Sequence, residues 1–258
     1  MDKTSPIGFF DSGLGGISVL REAIKLLPNE NYIYFGDSAN APYGIRPVPE
    51  VRILCEKGAD LLISHDVKAI VIACNTATSA GVDFLRNKYP DIAIIGVEPA
   101  LKPAAEHFPS GRILVMATEM TLREKKFLSL WSHYGKDADI IPIPCPGLME
   151  YVEKGVLSGE ELNGYLHTKL DKHLTKPIDA IVLGCTHYPF LKNAISSIVG
   201  KTVEIIDGGE GTARQLMRRL KQKELLNPSI EKGIVTFINS SMDENLLVLS
   251  QKLLNLEK

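Results

Sequence analysis

The chain has 258 residues, 45% of them hydrophobic, with 29 basic and 31 acidic side chains and a formal charge of −2. That length holds one large or two medium domains with substantial cores, and the composition excludes disorder over most of it. The charges are balanced and spread, which leaves no electrostatic footprint for a polyanion, so no nucleic acid is expected as a partner. No apolar run approaches the roughly 20 residues that span a bilayer, and the amino terminus lacks a signal-type pattern. No membrane partner is therefore expected, and the expected location is cytoplasmic.

Apolar β-type runs alternate with helical patterns, which predicts βα units and a largely parallel sheet. Ile7 to Phe10 reads as a strand. A helix follows across Ile17 to Leu27, where Ile17, Leu20, Ile24 and Leu27 fall at helical spacing and Pro28 ends it. The first set is completed by a strand at Tyr32 to Phe35, a helix around Pro49 to His65, a strand at Ala69 to Ala73, a helix near Ala77 to Lys88, and a strand at Ala93 to Val97. A second set has the same order: Arg112 to Met116, Ile140-Ile141, Ala180 to Leu183 and Val203 to Ile206. This repetition at a nearly constant offset suggests tandem duplication, and the predicted fold class is α/β, with two pseudo-symmetric parallel-sheet domains. A helix at Thr212 to Lys223, a strand at Ile234 to Ile238 and a closing helix follow, the last opened by a capping-box pattern at Ser241-Met242-Asp243-Glu244. If this tail returns to the first domain, the domains are 1–97 plus 208–258, and 98–207.

Ala69-Ile70-Val71-Ile72-Ala73-Cys74-Asn75-Thr76 and Ala180-Ile181-Val182-Leu183-Gly184-Cys185-Thr186-His187 are variants of each other. Each runs an apolar segment into a cysteine followed by small polar residues. A parallel strand buried on both faces reads in this way, and ligands collect at its carboxyl end. Two thiols so placed suggest a pair of acid/base groups facing each other across one small substrate, the arrangement a racemase needs. At a strand-to-helix junction a thiol meets the positive end of a helix dipole and several N–H donors, which favours the thiolate. Pro189 suits the first turn of a helix after Cys185. The alternative is a pair of buried structural cysteines, and it is the matched positions that favour function.

The chain holds two further cysteines, Cys55 and Cys145. No C-x-x-C pair occurs, so structural zinc and thioredoxin-type chemistry lack their spacing, no metal is expected, and free thiols are the better reading. Cys55 falls in a helical pattern and reads as core. Cys145 lies between prolines and is assigned no role.

Asp11 and Ser12 precede Gly13-Leu14-Gly15-Gly16 between the first strand and helix. A dinucleotide fingerprint would need glycine where Ser18 stands, and Asp11 would face the pyrophosphate. A tight turn presenting the Asp11 carboxylate and the Ser12 hydroxyl fits better, the alternative being helix capping. Asn75, Thr76 and Thr78 after Cys74, and Thr186 with His187 after Cys185, add donors suited to a carboxylate. The loop bearing Tyr43 and Gly44 follows the second strand, and Thr118 and Thr121 follow the strand at 112–116. Taken singly, each of these is more often a cap or turn residue. His187 could hold a proton for Cys185 or satisfy a loop hydrogen bond. Glu150 and Glu153 belong to a helix in the second half, where solvent exposure is the default.

The four segments Phe10-Asp11-Ser12-Gly13-Leu14-Gly15-Gly16, Asp37-Ser38-Ala39-Asn40-Ala41-Pro42-Tyr43-Gly44, Ala73-Cys74-Asn75-Thr76-Ala77-Thr78 and Leu183-Gly184-Cys185-Thr186-His187-Tyr188-Pro189 occur in the order found in the glutamate racemase family. The chain resembles this cofactor-independent branch of the aspartate/glutamate racemase superfamily nearly from end to end. The resemblance implies two α/β domains with the active site in the cleft between them, commonly a homodimer, and supply of D-glutamate for bacterial peptidoglycan and hence cell shape. It further implies that Cys74 deprotonates D-glutamate and Cys185 L-glutamate. Asp11, Ser12, Tyr43, Gly44, Asn75, Thr76, Thr186 and His187 match substrate-binding positions, and Asp11, Glu153 and His187 match residues that assist the thiols. Glu210 stands where the family is expected to carry a smaller residue, outside the predicted catalytic loops.

The scheme so implied takes the α-proton on one thiolate and returns a proton from the other thiol. No pyridoxal-binding lysine is evident, and none is needed. Competing readings are a racemase for aspartate or another amino acid, a non-catalytic amino-acid-binding protein with two lobes, and a Cys/His metal hydrolase, whose ligand spacing is missing.

Overall fold

Buried apolar runs become the central strands and amphipathic runs become the helices that cover them. A computed structural model describes residues 2–97 and 100–256. The chain divides into two compact units, Met1–Glu98 with Gly209–Lys258, and Pro99–Gly208. The boundary expected beside residue 98 falls on residues outside those described.

The first unit runs β1 (Ile7–Asp11), α1 (Ile17–Leu26), β2 (Tyr32–Gly36), α2 (Val48–Ser64), β3 (Ala69–Ile72), α3 (Asn75–Lys88) and β4 (Ala93–Gly96). The second runs α4 (Leu101–His107), β5 (Arg112–Ala117), α5 (Glu119–Arg123), α6 (Lys125–Tyr134), β6 (Asp139–Pro144), α7 (Leu148–Glu153), α8 (Glu160–Leu170), β7 (Ala180–Leu183), α9 (Lys192–Val199) and β8 (Glu204–Asp207). The chain then completes the first unit with α10 (Gly209–Gln222), β9 (Val235–Asn239) and α11 (Asn245–Leu254).

Both sheets are parallel throughout, in the orders β4-β3-β1-β2-β9 and β6-β5-β7-β8. The first four strands of each unit share one topology, because β4-β3-β1-β2 matches β8-β7-β5-β6. The correspondence reaches single residues. Phe10 pairs with Ile72 and Met116 with Leu183, and each pair is followed by the same backbone bond at 2.7 Å, from Ala73 N to Phe10 O and from Gly184 N to Met116 O. Strands β3 and β7 are buried along their whole length, as strands covered on both faces must be.

Several local expectations are corrected. Ser241 to Glu244 forms no capping box: Ser241 Oγ accepts from Asp243 N and Asp243 Oδ1 from Asn245 N, and α11 starts only at Asn245. Short side chains here bond two residues ahead, a turn that competes with the helix. Pro189 does stand in the first turn of a helix as expected, but that turn is 3₁₀, Tyr188–Leu191, running directly into α9. Strand β6 is longer than its Ile140-Ile141 core and includes Pro142 and Pro144, which an edge strand tolerates.

Candidate active site

The predicted residues of the first unit gather at the carboxyl ends of β1, β2 and β3. Cys74 is the N-cap of α3, and its sulfur accepts from Ala77 N at 3.4 Å. Ser12 Oγ lies 3.4 Å from the same sulfur. Two close approaches bring these strand ends together. A Cβ on Gly16 would stand 2.7 Å from Ala73 Cβ and 2.8 Å from Asp11 Cβ, and one on Gly36 would stand 2.6 Å from Gly13 O. Asp11 is fully buried, and its Oδ1 accepts from Gly13 N at 2.7 Å, so it shapes the turn; α1 has no side-chain cap.

Tyr43 and Gly44 lie in a 3₁₀ turn that follows a cis Ala41-Pro42 peptide. The Tyr43 phenol is buried and donates to Asp37 Oδ2 at 2.6 Å. Burial first, then the bond to Asp37 and its charge, hold that phenol far above its ordinary range. Asp37 also accepts from Asn40 Nδ2, and its N–H donates to Asp11 O. Asn75 and Thr76, in the first turn of α3, are both buried, and Asn75 Oδ1 is a sealed acceptor without a hydrogen-bond partner among the described residues.

In the second unit, Gly184-Cys185-Thr186-His187 leaves β7 where that strand meets the end of β5. A Cβ on Gly184 would lie 2.8 Å from Ala117 Cβ. Cys185, Thr186 and His187 are buried. Cys185 Sγ lies 3.6 Å from His187 Nδ1, and His187 Nε2 lies 2.6 Å from Glu153 Oε1. Glu153 is therefore not a solvated helix residue: its side chain is only 16% exposed and closes a thiol–imidazole–carboxylate chain. Burial depresses an imidazolium, but the hydrogen bonds and charges of Cys185 and Glu153 together outweigh it, and the His187 pKa stands well above 6.5. Thr118 takes up its cap role, accepting from Thr121 N at the start of α5. In the internal repeat it occupies the place of Ser12.

The other two cysteines sit behind these groups. Cys55 is packed in α2, its thiol raised by burial, and Cys145 is pushed up to about 12, chiefly by burial with the Lys169 charge opposing. Reading the sequence missed Asp37 as the partner of Tyr43, although an acidic residue directly after a fully buried strand was the available signal. Nothing local marked the contact of Glu153 with His187. Among the described residues, no three His, Cys, Asp or Glu side chains form a metal-ligand set, and no helix is long and apolar enough to cross a membrane.

The sequence model of the Asp/Glu/Hydantoin racemase family matches residues 16–216. The chain is 55% identical over 255 residues to the glutamate racemase of Clostridium botulinum, spanning 98% of this chain and 99% of that one. Among solved structures it is similar to the glutamate racemase of Francisella tularensis in complex with D-glutamate, with a TM-score of 0.83 and 28% identity over 99% of this chain and 95% of that one. It is also similar to the Escherichia coli glutamate racemase in complex with L-glutamate and the activator UDP-MurNAc-ala, with a TM-score of 0.82 and 27% identity over 96% of this chain and 95% of that one.

Proposed function

The chain belongs to the Asp/Glu/Hydantoin racemase family, and on that premise we propose that it interconverts L- and D-glutamate by proton transfer between the substrate α-carbon and two cysteines, without a cofactor. The observation that carries this reading is the equivalence of Cys74 and Cys185, each two residues past the paired end of a central strand in one of two matching units. The substrate is inferred from the relatives, whose solved complexes include both hands of glutamate.

The α-hydrogen of an amino acid is a very weak acid, so the protein must stabilise a carbanion-like transition state while a base removes it. Positioned acid/base groups contribute about 10²–10⁴-fold, and preorganised donors at the carboxylate add to this. In the proposed reaction Cys185 as thiolate takes the proton of L-glutamate while Cys74 as thiol protonates the opposite face; D-glutamate reverses the roles. Ser12 stands by Cys74, and His187 with Glu153 stands by Cys185, as proton-holding partners. The sealed Asn75 Oδ1 suits the substrate ammonium, a donor. The positive dipole end of α3, which starts directly after Cys74, suits a carboxylate. Asp11, Tyr43, Gly44, Thr76, Thr118 and Thr186 complete the proposed substrate set. The proposal extends to D-glutamate supply for peptidoglycan, a cytoplasmic location, a homodimer, and a division of labour between residues 1–97 with 208–258 and residues 98–207.

Incubating the protein with L-glutamate in D₂O, without added cofactor, should abolish optical rotation and place deuterium at the α-carbon, with L-aspartate as the control for substrate choice. Cys74→Ala and Cys185→Ala should each stay folded and lose racemisation. Turnover at the wild-type rate in either variant would overturn the two-base reading.

A further inference from the structure

The contacts around Cys185 form a closed circuit with one unassigned member. Tyr188 is fully buried, its N–H donates to Cys185 O at 3.1 Å, and its phenol donates to Cys145 O at 3.1 Å. The same carbonyl accepts from Leu148 N at 3.4 Å, the first residue of α7. Helix α7 then carries Glu153 to His187, and His187 returns to Cys185. The turn between Cys145 and α7 is tight, with Gly147 at φ 83°. It is held on its other side by Tyr165, whose phenol donates to Pro146 O at 2.7 Å.

We propose that Tyr188 is a positioning residue for Cys185: by holding the Cys145 carbonyl it fixes the start of α7 and so the reach of Glu153 to His187. This rests on the reading of Cys185 as a proton carrier. The lever is short and stiff. Six helical residues rise about 9 Å, so a tilt of about 10° at Leu148 moves Glu153 by more than 1 Å, enough to break a 2.6 Å contact. Burial, followed by the charges of Cys185, Cys145, Tyr165 and Glu150, keeps the phenol protonated and therefore a donor. The titratable groups acting on His187 are Cys185, on its own loop, and Glu153, on α7.

Tyr188→Phe keeps the ring and removes only the donor. Because the two enantiomers are equal in free energy, kcat/KM must fall equally in both directions, by about 10–100-fold for a displacement of this size. The distinguishing signal is the α-deuterium isotope effect, which should rise for labelled L-glutamate, handled by Cys185, and fall towards unity for labelled D-glutamate. The His187 imidazole, followed by ¹⁵N NMR, should titrate at lower pH in Tyr188→Phe than in the wild type. In a Glu153→Gln background the substitution should leave that titration unmoved. Tyr165→Phe, at a half-buried site, should shift it in the same direction by less, and serves if Tyr188→Phe does not fold. Unchanged His187 titration and unchanged isotope effects in the folded variant would overturn the proposal. Absence of α-exchange in the wild type would instead overturn the racemase reading, and the NMR titration separates the two failures.

Discussion

His187 is buried between a thiol and a carboxylate, and the sign of its shift sets a pH dependence. Its folded pKa lies above the ordinary value of about 6.5, so its contribution to folding is complete below that value and is lost as pH rises through the folded pKa. Glu153→Gln removes the charge that helps to raise it. The variant should therefore be less stable than the wild type by about 1–3 kcal/mol between about pH 5 and 6.5, where His187 is protonated. The gap should narrow in alkaline buffer. Urea unfolding at several pH values measures this, and a gap that widens with pH contradicts the charged pair. The same variant should lower racemisation by about 10²-fold or more, because the proton on His187 is then poorly held.

At the scale of elements, one glycine decides whether Cys185 can stand where it does, and a second provides the contrast. Gly184 follows β7 directly and lies against the end of β5, and a methyl group there meets Ala117 Cβ at 2.8 Å with Met116 O behind it at 3.3 Å. Neither neighbour is the free end of a flexible chain, so Gly184→Ala must push the strand ends apart immediately before Cys185. Overpacking of this kind costs about 1–3 kcal/mol. Gly164, within α8 and exposed, has no atom within 4 Å of a new Cβ, so Gly164→Ala should instead stabilise by about 0.5–1 kcal/mol through helix propensity. Thermal melts of the two variants should move in opposite directions, and only Gly184→Ala should lose activity. These elements were legible to different degrees. Strands β3 and β7 could be read directly because burial on both faces leaves no polar position. The prolines of β6 hid its length, since only its place at the sheet edge makes them tolerable. The Glu153–His187 contact was not legible: it is created by the path of α7 between residues 34 positions apart, and no local pattern encodes it.

At the scale of the molecule, the first unit is built from two stretches of chain, and its closure depends on charges no periodicity reveals. Lys68 is fully buried just before β3, Glu30 is buried before β2, and the two form an ion pair. Lys68 also donates to the Lys3 carbonyl, while Glu30 Oε1 accepts from Asn227 N at 2.9 Å. Asn227 Nδ2 donates to Asn29 O, and Gly233 N donates to Pro28 O. A Cβ on Gly233 would fall 1.8 Å from Glu30 O, so the returning chain passes in direct backbone contact with the turn. One buried pair thus joins the amino terminus, the turn after α1, the approach to β3 and the segment leading to β9. Breaking a buried pair leaves an uncompensated charge and costs about 3–5 kcal/mol, whereas replacing both partners with apolar groups of similar volume is often neutral. Lys68→Met alone should therefore lower stability by about 3–5 kcal/mol, and Lys68→Met with Glu30→Leu should recover most of it apart from the bond to Asn227. Hydrogen exchange gives the spatial check. In the single variant, protection should fall in β9 and α11 as well as beside Lys68, because the Glu30 carboxylate that holds Asn227 is then left without its cation. Loss confined to residues around position 68 would show that the returning segment is held by its own contacts and not by the pair.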